Sequence, residues 1–167
     1  MSLAGGAAAP VTRVTLELRG FVDAWAHCQH VADFVARFAA SDRYDPEQLT
    51  TRLATYLHEV LELVRRCHLA GAADGDLGIA VHRRGDRLLL DVTVPLDADA
   101  GDRLRRSVVR ATGPDPAAAY RAGLAAALRD GDSDDAGLLE LVALHGVGLA
   151  AIASADVLTL TLSVPHE

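Results

Sequence analysis

Apolar residues fall into two rhythms along the chain, and the change of rhythm marks the elements. From Val11 the pattern alternates, with Val14, Leu16 and Leu18 on one face and Thr15, Glu17 and Arg19 on the other, which predicts a half-buried strand ended by Gly20. Phe21 to Ala40 changes to helical spacing. Phe21, Trp25, Cys28, Val31, Phe34 or Val35, and Phe38 form one stripe, so the spacing predicts a single helix that buries all three Phe and the only Trp. A second helix starts where Asp45 can cap and Pro46 occupies the first position, and runs to about His68; its stripe of Leu49, Leu53, Tyr56 or Leu57, Val60, Val64 and Cys67 is widened by Leu61 and Leu63. Leu77, Ile79, Val81 and then Leu88, Leu90, Val92, Val94 alternate about an Arg84-Gly85 turn, a β-hairpin stopped by Pro95.

Leu96 to Gly113 reads as irregular and charged. Asp115 and Pro116 open an Ala-rich helix to about Arg129, an acidic loop follows, and Leu138 to Leu144 make a last helix with Gly146 as its cap. Val147 to Ala153 and Val157 to Val164 close the chain as a second hairpin. Grouped strands and helices of this order predict an α+β fold: a two-layer sandwich whose mixed sheet of about five strands is covered on one face by three helices. Residues 1–10, rich in Ala and Gly, lack any period and read as a disordered leader before a single domain over 11–167.

Composition narrows the function more than it names it. The 167 residues carry a net charge of -7, so the surface repels a phosphate backbone and argues against nucleic acid as partner. No apolar run is long enough to span a bilayer, the start lacks a secretory pattern, and a cytoplasmic protein with two plain thiols, Cys28 and Cys67, is expected. All 16 basic residues are Arg. His27 and His30, at i and i+3, would face one metal but lack a third ligand nearby, so surface imidazoles are the expectation and a metal or small-ligand sensor the alternative. His58 and Glu62 lie one turn apart and read as an ordinary helix pair. The Arg103 to Arg110 cluster suits phosphate or carboxylate equally with internal neutralisation by the flanking Asp residues.

Four places carry a family likeness: the helix containing His58-Glu59-Val60-Leu61-Glu62-Leu63, the run Asp97-Ala98-Asp99-Ala100-Gly101 after the hairpin, the segment Ala136-Gly137-Leu138, and the last strand Leu158 to Pro165. In these the chain resembles the ATP-binding domain of the GHKL superfamily, which includes histidine kinases and anti-sigma-factor serine kinases. The resemblance implies nucleotide contacts at Glu59, Asp97, Gly101 and Gly137. It also implies their decay. Leu63 stands where the family has the Asn that holds Mg²⁺, and an aliphatic chain offers a hard cation no oxygen; Asp99 replaces a glycine of the family's Asp-x-Gly-x-Gly run. The implied protein is a pseudo-kinase with no catalytic residue, no metal and no cofactor, acting in bacterial signalling by binding a regulatory protein. An active serine kinase using Glu59 as base is the alternative. A homodimer through the first strand or the Tyr120, Leu124, Leu128 helix is expected as well.

Overall fold

The computed structural model describes residues 10–42, 44–69, 73–95, 98–131, 135–154 and 157–165; the expected leader and Asp97 lie outside them. In chain order the elements are β1 (Thr12–Glu17), α1 (Leu18–Asp23), α2 (Ala26–Ala40), α3 (Pro46–His68), β2 (Asp76–Arg84), β3 (Arg87–Pro95), α4 (Ala98–Ala111), α5 (Pro116–Asp130), α6 (Ala136–Ala143), β4 (Gly148–Ala153) and β5 (Val157–Pro165). The strands form one sheet in the order β1-β2-β3-β5-β4. Every pairing is antiparallel, so the sheet is not mixed as the sequence suggested.

Local chemistry explains the starts and turns. The Asp45 carboxylate accepts from Gln48 N at 3.1 Å, the Asp115 carboxylate accepts from Ala118 N at 2.8 Å, and each is followed by a proline whose missing N–H costs the first turn nothing. Gly85 has φ +61° at the first central position of the β2–β3 turn, while among the described residues none other than glycine has positive φ. That is the glycine placement of a type II′ turn, whose twist suits a two-residue hairpin.

Period-2 burial sends one face of each central strand inward: Leu77, Ile79 and Val81 from β2, Leu88 to Val94 from β3, Leu158 to Val164 from β5. α3 lies against this layer with Leu53, Leu57, Val60, Leu61 and Val64 fully buried. The opposite face of the sheet is polar, bearing Thr93, Thr159, Thr161 and Ser163 in half-exposed positions. No helix among the described residues is long and apolar enough to cross a membrane.

Two expectations fail. The predicted helix Phe21–Ala40 is broken at Ala24 and Trp25 into α1 and α2, because Glu17 ends β1 by accepting from Arg19 N and Gly20 N and so starts a short helix of its own. The break resets the phase. α2 buries Cys28, Ala32, Val35, Ala36 and Ala39, while Trp25, Phe34 and Phe38 are 58%, 51% and 53% exposed. Small residues let α2 and α3 approach closely, and a larger ring on that face would hold them apart. The segment expected to be irregular is the helix α4, which buries Ala100, Leu104, Val108 and Ala111 at helical spacing.

Candidate functional site

α3 is the element through which the sequence-derived site residues meet their neighbours. His58 faces α2, its ring 6.0 Å from that of Trp25 and nearly perpendicular to it, and its Nδ1 is buried without a partner. Glu59 faces α6. Its side chain lies close against Gly137, so that a β-carbon built there would overlap the carboxylate and stand 2.6 Å from Cδ and 3.1 Å from Cγ. Two of the four residues expected to hold nucleotide are thus in contact with each other. Without a β-carbon, residue 137 leaves room for the glutamate side chain.

Of the other expected contacts, Asp97 lies outside the described residues. Leu63 is 2% exposed and belongs to the hydrophobic core. Gly101 is buried inside α4, so its backbone is committed to helix and does not form a loop; Asp99 is exposed on the first turn of that helix. Three arginines of the cluster are engaged internally: Arg103 donates to Cys67 O, Arg105 to the Asp102 carboxylate, and Arg110 pairs with buried Asp135 at 3.1 Å. The hydrogen bond from Arg105, and then its charge, hold the Asp102 carboxyl below its ordinary range. Mg-ATP at millimolar concentration is therefore expected to leave the melting temperature unchanged, since only a ligand that binds the native state raises it. A rise of several degrees in differential scanning fluorimetry contradicts this.

His27 and His30 do not converge on a metal either. His27 Nδ1 lies 3.1 Å from Gly20 O, and among the described residues no three His, Cys, Asp or Glu side chains are placed to hold an ion. Glu62, read as a surface partner of His58, is buried; its Oε2 lies 3.9 Å from Arg65 and 3.7 Å from Arg66, and its Oε1 has no partner. Both cysteines are buried, and neither forms a disulfide.

Cys28 registers this environment. Burial, and secondarily the Glu62 charge, push its thiol from 9.0 up to about 12. Above pH 9 the unfolded chain loses this proton while the folded chain keeps it, so stability that is complete below pH 9 falls as the pH climbs toward 12, by up to ~1.4 kcal/mol per unit. Urea denaturation at a series of pH values should show this slope, and Cys28→Ala should flatten it. An unchanged slope in the variant refutes the assignment.

Two further surfaces are absent from the expectations drawn from the sequence. On α2, Phe34 and Phe38 pack ring against ring with centroids 4.9 Å apart, and with His30, Asp33 and Arg37 they line an open cleft of about 460 Å³. The signal was present in the i,i+4 spacing of the two Phe, but a hydrophobic stripe does not say which of its edges is solvent. On the open sheet face, His82 Nε2 lies 3.5 Å from the Asp91 carboxylate, which also accepts from Thr161 Oγ1 at 2.6 Å, beside a shallow furrow over Gly78 and Ala80. This polar row was legible only as the outward half of an alternating pattern.

No known family model and no curated protein matches the chain. Among solved structures, it is similar to a chain in the crystal structure of the SiaB–SiaC complex from Pseudomonas aeruginosa, with 16% sequence identity over 90% of this chain and 89% of that one and a TM-score of 0.58. At that identity the likeness is one of fold. It takes the place of the GHKL assignment drawn from the sequence, since the fold likeness found is to a chain of this complex.

Proposed function

We propose that the protein is regulatory and acts by binding a partner protein through the aromatic face of α2. The observation that carries this is the pair Phe34 and Phe38, both about half exposed and in tilted contact with each other, in a chain whose other Phe is buried. Exposed large rings bordering polar groups are what binding hot spots are made from, because a ring offers much apolar area at small entropic cost. His30, Asp33 and Arg37 form the polar rim, with charges of both signs. The fitting partner presents an apolar side chain to the cleft and polar groups around it. The likeness to a chain crystallised in a complex of two proteins supports the reading.

The test is affinity purification with cross-linking from the cells that make the protein, wild type against the double variant Phe34→Ser, Phe38→Ser. The wild type is expected to retain one partner in near-stoichiometric amount and the double variant to lose it while melting at the wild-type temperature. Equal retention by both proteins, or no partner on the wild type, overturns the proposal.

A further inference from the structure

The sheet has two edges, and they differ in chemistry. At β1 the edge carries Arg13 and Glu17, and the Glu17 carboxylate is occupied capping α1. Charges on an edge discourage another strand from pairing with it. β4, the opposite edge, reads Gly148-Leu149-Ala150-Ala151-Ile152-Ala153, with no charge and no proline, and Ile152 is 69% exposed. This inference is independent of the α2 surface.

Hydrogen-bond parity shows which groups the edge presents. Ser154 N donates to Val157 O across the β4–β5 turn, so that pair exchanges hydrogen bonds, and by alternation Ile152, Ala150 and Gly148 do the same with their β5 partners Thr159, Thr161 and Ser163. Leu149, Ala151 and Ala153 therefore turn their N–H and C=O groups away from β5. Among the described residues no strand meets them.

From this we infer that β4 pairs antiparallel with β4 of a second copy about a two-fold axis at Ala150, joining two sheets into one. The sequence of the strand is complementary to itself in that register. Gly148 meets Ile152 of the second copy, Leu149 meets Ala151, and Ala150 meets Ala150, so every large side chain lies opposite a small one. The parity agrees: Leu149 and Ala151 of the second copy exchange backbone hydrogen bonds, while the central Ala150 pair is of the type that exchanges none. A two-fold makes both halves of the contact identical and closes the assembly at a dimer, which leaves neither β4 edge open. A chemically unrelated strand would match the backbone but not this alternation of large and small.

The register supplies its own test. Sedimentation at micromolar concentration should give the wild type a mass near twice 17.6 kDa. Ala150→Arg and Ala150→Glu each place like charges directly opposite one another and should raise the dissociation constant at least tenfold, and an equimolar mixture of the two variants should restore the dimer. Ala150→Cys should form a covalent dimer on mild oxidation, because a pair of this type brings its Cα atoms to about 4.5 Å, within disulfide range. A monomeric wild type, a dimer indifferent to both charges, or a mixture that stays monomeric overturns the inference. So does a folded Ala150→Cys protein that fails to cross-link.

Discussion

Leu57→Ala is expected to lower the free energy of unfolding by about 2–5 kcal/mol and the melting temperature on the order of 10 °C, whereas Phe34→Ala is expected to cost about 1 kcal/mol or less. The contrast inverts what side-chain size suggests. Leu57 has no exposed surface and sits among the α3 residues that face the sheet, so its truncation leaves a cavity that close-packed neighbours refill only in part. Phe34 is half exposed and loses mainly its contact with Phe38. Urea titrations of the two variants beside the wild type measure both numbers. Comparable losses would mean that the α2 rings are core, and the binding surface proposed for them would fail with that result.

The same residues show where a sequence is readable and where it is not. Alternation in β2, β3 and β5 was unambiguous because each of those strands buries one face and leaves the other polar, and period 2 has only one phase to choose. The starts of α3 and α5 were equally legible, since Asp45-Pro46 and Asp115-Pro116 act through hydrogen bonds a few residues long. α2 was different. Its buried row is Cys28, Ala32, Val35, Ala36 and Ala39, small side chains that a hydrophobicity count ranks below the neighbouring rings, and the choice between the two rows was made by α3, a separate element. α4 was overlooked for a related reason: Ala100, Leu104, Val108 and Ala111 have helical spacing, but Gly101 and the flanking charges invited a loop. Of the candidate site, Leu63 was legible as an apolar position of the α3 stripe, and it lies in the core. The meeting of Glu59 with Gly137 could not be read, because it depends on how α3 packs against α6.

That contact carries the second large effect, a change of sign. In an isolated helix Gly→Ala gains up to about 1 kcal/mol, because glycine has more backbone freedom to lose. At position 137 the added methyl would overlap the Glu59 carboxylate and crowd its Cδ and Cγ, and overpacking of this kind typically costs ~1–3 kcal/mol. Gly137→Ala should therefore destabilise the wild-type protein. In a Glu59→Ala background the three nearest atoms to the added methyl are gone, and the same substitution should stabilise the protein. The coupling between the two positions, read from a double-mutant cycle in urea, is expected to be ~1–3 kcal/mol, as for other residues in direct contact. Additive effects would mean that Glu59 swings clear of α6 in solution, and the α3–α6 contact would then be no part of what holds these helices together. A sign change confined to the Glu59 background would establish that glycine stands at 137 for the glutamate it accommodates, with no nucleotide required to explain it.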